Sequence, residues 1–349
     1  MSGKAQHSAG LDPTKIMTGL FLLALVVFLI VQNVNKPRVL ILHSYYTDFS
    51  WVRDINKGLE RVFKDKSYKL RYHYMDTKRH TDAEFKERAG QTVRKMINSW
   101  QPDVIVAIDD NAQQYVSRFY LDHPKIRIVF AGVNKTEADY GFDTANNVTG
   151  VLERINYQAV KDILLQVLPE GKRRILHVSD NSPTSEGIHK EIEGFDWSPL
   201  QFTESIQCES LEQWKQVVKS AEGKVDFILF THYHTLYRSD SDPNKVPPKE
   251  VIDWTNANST LPGVSFWGFY VEDGGMMAVA LSPYEQGEVA ADMAVRIIDD
   301  GLMPKEIPVY VSRLFVMYMR GSQIQTRLGN LDLPLVYEAF ARATNNYYD

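Results

Sequence analysis

VLILHSYYTDFSWVRDINKGLE, residues 39–60, changes its hydrophobic period halfway along, and that change decides the fold. Arg38–His43 is a short, continuous, branched apolar run, the pattern of a strand buried on both faces. From Trp51 to Lys64 the apolar residues Trp51, Val52, Ile55, Leu59, Val62 and Phe63 recur at helical spacing. A buried strand followed at once by an amphipathic helix is the opening of a parallel, helix-covered sheet. The polar and aromatic HSYYTDFS lies between the two, at the carboxyl end of the strand, where open parallel sheets bind ligands.

The same alternation runs outward from this stretch. Leu70–Met75 reads as a strand, Asp82–Trp100 as a helix and Asp103–Ile108 as a buried strand. Ala112–Leu121 reads as a helix and Arg127–Ala131 as a strand. The pattern then restarts. Helices are expected over Tyr157–Val167, Ser185–Glu193, Leu211–Ser220, Lys249–Asn258 and Tyr284–Asp300. Strands are expected over Arg174–Val178, Leu200–Ile206, Asp226–Phe230 and Val264–Phe269. Arg238–Lys249, polar and proline-rich, reads as a long loop. Two successive α/β units in 349 residues suit two lobes of similar build. Asn146–Val151 is the expected crossover between them.

Composition narrows the function. Hydrophobic residues make up 44% and charged residues 24%, the balance of a folded globular chain. The net charge of −5 gives no general basic footprint for nucleic acid. The single cysteine, Cys208, excludes an intramolecular disulfide, a thiolate metal cluster and a lipid anchor at the amino end. One uncharged apolar run, Ile16–Val34, follows Lys4 and Lys15. It reads as a signal anchor behind a short cytoplasmic tail, residues 1–15, with a cleaved signal as the alternative.

Each strand ends in a cluster of hydroxyls, amides, carboxylates and rings. After the first come His43 to Trp51, after the third Asp109, Asp110, Asn111 and Gln113, and after the fourth Gly132, Val133 and Asn134. In the second unit the sets are Ser179 to Ser182, Thr231 to His234, and Trp267 to Tyr270 with Asp273. Such sets furnish a small-molecule pocket, with rings to stack on a solute and a few placed polar groups. No Gly-x-Gly-x-x-Gly, Walker loop or Gly-x-Ser-x-Gly elbow occurs, so no enzymatic constellation and no cofactor site is expected. His232 and His234 alternate on one strand end but lack further ligands at metal spacing.

Taken together, these residues resemble the type I periplasmic-binding-protein superfamily. The closer resemblance is to the ABC-transporter substrate-binding family of tryptophan- and tyrosine-type binding proteins and related sensor domains. The resemblance is carried by residues 39–60, QPDVIVAIDDNAQQY, IVFAGVN, NVTGVLERINYQAVKDILLQVLP, VEDGGMMAVALSPYEQGEVAADMAVRIIDDG and EIPV. It implies a two-lobed α/β clamp, each lobe a parallel sheet flanked by helices, preceded by the anchor helix 16–34. Lobe 1 would comprise 37–150 plus 280–308, and lobe 2 would comprise 151–279 plus 309–349. By position, Tyr45, Tyr46, Trp51, Asp110, Asn134, Asp180, Ser182, Thr231, Tyr233, Trp267 and Asp273 would line the cleft.

The implied function is non-enzymatic: capture of a small, aromatic or heterocyclic solute for an ABC permease. The domain would face the periplasm from the bacterial inner membrane, and a sensing module that signals through a separate partner is the alternative. The direct anchor and the long 238–249 loop depart from the family's usual pattern.

Overall fold

The computed structural model describes residues 13–34, 36–167, 171–329 and 334–349. Most of the expected cytoplasmic tail, residues 1–12, lies outside them. Helix α1 (Pro13–Val34) comes first. The first sheet is then built from β1 (Arg38–His43), α2 (Ser50–Phe63), β2 (Lys69–Tyr74), α3 (Ala83–Trp100), β3 (Val104–Ile108), α4 (Asp110–Tyr115), β4 (Arg127–Val133) and β5 (Val148–Leu152). The second unit follows as α5 (Tyr157–Val167), β6 (Arg174–Asp180), α6 (Pro183–Gly194), β7 (Gln201–Cys208), α7 (Leu211–Ala221) and β8 (Phe227–Phe230). It continues with β9 (Tyr237–Ser239), β10 (Asp242–Lys245), α8 (Pro248–Asn258), β11 (Gly263–Ser265), α9 (Phe269–Glu272) and β12 (Met277–Leu281). The chain closes with α10 (Pro283–Asp299), β13 (Tyr310–Val311), β14 (Phe315–Arg320), α11 (Gly321–Leu328), α12 (Leu335–Ala343) and β15 (Tyr347–Tyr348).

Two main sheets result among the described residues, in the orders β13-β5-β4-β3-β1-β2 and β15-β14-β12-β11-β8-β6-β7. The chain passes between them after β5, after β12 and after β13. The central strands are fully buried: Val39 to Leu42 in β1 and Val104 to Ile108 in β3 show almost no exposure. This is the physical meaning of their continuous apolar runs. Helix α10 returns from the second sheet to lie on α2, and two glycines let the backbones touch. A Cβ on Gly287 would sit 2.1 Å from the Ile55 carbonyl oxygen, and one on Gly58 would sit 2.2 Å from that of Tyr284.

Several expectations need correction. Residues 310–311, expected in the second lobe, form β13, which pairs with β5 in the first sheet, and β5 itself runs on through Val151 and Leu152. The second sheet is mixed, because β14 runs antiparallel to β12. The 238–249 segment is not an open loop: β9 and β10 pair as a small antiparallel hairpin, seated by the buried Leu236 and Val246 on either side. The helix expected over 112–121 breaks at Val116, whose φ of −133° and ψ of −64° leave the helical region. The strand expected over Val264–Phe269 stops at Ser265, and the chain turns into the helical α9.

Among the described residues no helix is long and apolar enough to cross a membrane, so the expected spanning helix is not carried by the structure. Helix α1 does form, and its described apolar side chains from Met17 to Leu29 are exposed.

Candidate functional site

The carboxyl ends of both sheets face one small cavity of about 20 Å³. The first lobe contributes Tyr45, Phe49, Trp51, Lys78, Asp109 and Asn134. Glu153 comes from the crossover, and Thr184, His232, Trp267 and Phe269 come from the second lobe. Strand β1 ends at His43, and the following turn carries Tyr45 and Phe49 to the cavity before α2 begins. Trp51, in the first turn of α2, turns its indole toward the end of β3.

Two carboxyl groups occupy the floor, each fixed by an indole. Trp51 Nε1 donates to Asp109 Oδ1 at 3.0 Å, and Trp267 Nε1 donates to Glu153 Oε1 at 3.0 Å. Asn134 Nδ2 donates to the second Glu153 oxygen at 3.2 Å. Asp109 Oδ2 is buried and has no hydrogen-bond partner. The Asp109 backbone sits at φ 65° and ψ 164°, a conformation that non-glycine residues rarely adopt. Gly132, at φ 63°, makes room for it, since a Cβ there would lie 3.1 Å from Asp109 Oδ1.

Burial governs the charge of this floor. It raises Glu153 to about 8, with Asp110 adding to the rise and the Trp267, Asn134 and Lys78 interactions opposing it. It also raises Asp109 well above the ordinary carboxylate range, helped by the neighbouring Glu153. The Lys78 ammonium lies 4.5 Å from the centre of the Tyr45 ring and 5.0 Å from that of Phe49. Burial lowers its pKa, while Asp180, Asp109 and Glu153 pull it back up. The lobes meet around it: Phe49 packs on Phe269 at 5.8 Å and on His234 at 5.3 Å.

Of the expected site residues, Tyr45, Trp51, Asn134 and Trp267 line the cavity. The other seven do not. Asp110 is turned away, its carboxylate accepting from the Tyr140 hydroxyl at 2.7 Å and from the amides of Asn134 and Lys135. Asp180 accepts from the Ser185 hydroxyl and the amides of Ser182 and Thr235. Burial works against its charge, but His232, these donors and Lys78 hold it down at about 2. Ser182 caps α6, and Thr231 Oγ1 lies 2.9 Å from His177 Nε2 beneath the sheet. Tyr233 is fully buried and donates to Asp273 Oδ2 at 2.8 Å, while Tyr46 lies half-buried under the Arg79 guanidinium.

Sequence reasoning left out seven cavity residues. Phe49, Asp109, His232 and Phe269 stand in the strand-end sets, but nothing local told them from their neighbours. Glu153 follows β5 directly, and extending the strand-end rule to that strand finds it. Thr184 and Lys78 carry no such signal, because they reach the cavity from the first turn of α6 and from the turn after β2. Among the described residues no group of His, Cys, Asp or Glu is arranged to hold a metal.

A model of the ABC transporter substrate binding protein family matches residues 52–326. Solved structures share the fold. A conserved domain protein from Vibrio cholerae O1 biovar El Tor is 16% identical with a TM-score of 0.66, over 90% of this chain and all (100%) of that one. The ABC domain of a Streptococcus pneumoniae protein in complex with L-Trp is 18% identical with a TM-score of 0.65, over 88% and 98%. A substrate-binding protein with adhesive properties from Clostridium difficile, ligand-free and open, is 15% identical with a TM-score of 0.61, over 84% and 95%. Among curated proteins none matches the sequence significantly.

Proposed function

Because the chain belongs to the ABC transporter substrate binding protein family, we propose that it captures a small solute between its two lobes and presents it to an ABC-type importer. The observation that carries this reading is the cavity itself, walled by strand-end side chains from both sheets rather than from one. Its free space is about 20 Å³, room for roughly one water and far below the 300–1,000 Å³ of usual ligand pockets. The lobes therefore open to admit a solute and close on it. The passages after β5, β12 and β13 are the hinge, and the lobes divide there, near residues 153, 282 and 312. Glu285 braces it, accepting from the hydroxyls of Tyr310 and Ser312 and from the amide of Leu314.

The wall of Tyr45, Phe49, Trp51, Trp267 and Phe269 suits a solute with a planar ring, and the L-Trp complex of the Streptococcus pneumoniae neighbour points the same way. The binding domain acts outside the cytoplasm, tethered at the membrane by the exposed apolar side chains of α1. A thermal-shift screen of amino acids, aromatic amines, nucleosides and sugars tests capture. A solute that binds the folded protein raises Tm by mass action, and a screen without any shift refutes the reading. Retention of the full chain in membranes after alkaline carbonate washing, and its release when residues 1–34 are removed, tests the tether.

A further inference from the structure

The floor of the cavity holds an unmet acceptor. Asp109 is 3% exposed, its Oδ1 is taken by Trp51 Nε1, and its Oδ2 has no partner. Glu153, 4% exposed, adds a second carboxyl group to the same cavity. A buried acceptor without a donor costs about 1–3 kcal/mol, and a strained backbone costs a similar amount. Asp109 carries both burdens at one residue that lines the cavity. Neither is needed to hold α4, because Asp109 makes no side-chain cap there and Ser44 Oγ accepts from the Ala112 amide instead.

A cation already sits nearby. The Lys78 ammonium lies over the Tyr45 and Phe49 rings, yet it makes no ion pair among the described residues. Its residue as a whole is half-buried, and it comes from the turn after β2 rather than from a strand or helix. Rings stacked under an ammonium, with carboxyl groups beyond them, form the environment that holds amine ligands.

Building on the solute-capture reading, we propose that the solute carries a positively charged nitrogen, an amine or a protonated heterocycle. Asp109 is its counter-ion, and the nitrogen takes the seat that Lys78 fills in its absence. Glu153 lies alongside as the second acceptor. The aromatic wall takes the ring of the solute, and the solute's N–H group meets the free Asp109 Oδ2. Lys78 then acts as a tethered competitor that keeps the two carboxyl groups from facing each other without a cation.

The test uses calorimetry on the full chain with each compound that shifts Tm in the screen, alongside 2-phenylethylamine, 3-phenylpropionate and 2-phenylethanol as probes of one ring and three charges. Asp109→Asn keeps an acceptor for Trp51 and removes the charge; it is expected to weaken cationic ligands by roughly 10- to 100-fold, the scale of a lost charge-assisted bond. Lys78→Met empties the seat and is expected to tighten the same ligands severalfold. Cooperative thermal unfolding of the unliganded variants, whatever the shift in Tm, shows that both fold. A bound compound without a cationic nitrogen, an unaltered Kd in Asp109→Asn, or weaker binding in Lys78→Met overturns the assignment. If no compound of any charge binds, solute capture itself has failed and the assignment falls with it.

Discussion

Glu153→Gln should change how the stability of this protein depends on pH. Glu153 is 4% exposed, accepts from Trp267 and Asn134, and is raised from 4.5 to about 8. A carboxyl group whose pKa is higher in the folded state keeps its full stabilisation below pH 4.5. It loses that stabilisation as pH climbs toward 8, because the unfolded chain releases the proton first. At about 1.4 kcal/mol per pKa unit, that rise amounts to about 5 kcal/mol. This is an upper bound, because opening of the lobes rehydrates the group without unfolding either sheet. Glutamine keeps an acceptor for the Trp267 indole and cannot ionise, and it also relieves the repulsion that helps raise Asp109.

Urea unfolding of both proteins at pH 5, 6, 7 and 8 reads the difference. The wild type should lose at least about 1.5 kcal/mol relative to Glu153→Gln across this range, of the order of one pKa unit of coupling. The buried histidines act in the opposite sense. Burial lowers His43 to about 4 and His177 and His232 to about 3, but they are present in both proteins and cancel in the difference. Parallel stability profiles would refute the claim that Glu153 is held protonated by its burial.

Other perturbations test the scaffold around the site. Gly132→Ala forces a side chain into φ 63° and toward Asp109 Oδ1 at 3.1 Å, so it should cost about 1–2 kcal/mol in urea unfolding and weaken solute binding together. Trp214→Phe removes the fully buried indole and its bond to Thr255 Oγ1, for an expected loss of about 1–3 kcal/mol with an unchanged solute Kd. Asp226 is buried, yet the Arg174 side chain and the amides of Arg174 and Arg173 outweigh that burial and hold its carboxyl below 3.8. Its stabilisation is present above pH 3.8 and is lost as pH falls. Asp226→Asn should therefore cost about 2–4 kcal/mol at pH 7, and progressively less in acid unfolding below pH 3.

The strands of the first sheet were legible because local rules governed them. β1 and β3 are buried on both faces, so their apolar runs are unbroken, and α2 and α3 show the helical period of a one-sided face. Legibility failed where distant parts of the chain decide. β13 pairs with β5 although more than 150 residues separate them in sequence, and no local pattern announces such a partner. The polar hairpin of β9 and β10 hides in the same way, since its residues suit a loop and only the pairing orders them.

The site divides along the same line. The sequence by itself determined the order of strands and helices, and it placed a ligand cavity at the strand ends, because those follow from periodicity and the geometry of parallel sheets. Only the tertiary structure decided which of the neighbouring aspartates faces the cavity. The unusual backbone angle at residue 109 points one carboxyl group at Trp51, while the helical start at Asp110 sends the other to Tyr140. The structure alone also brought Lys78, Glu153 and Thr184 to one cavity, from a turn, a crossover and a helix start far apart in sequence. A side chain's direction depends on the φ and ψ of its own residue and on the docking of two lobes, and neither is written in the hydrophobic pattern.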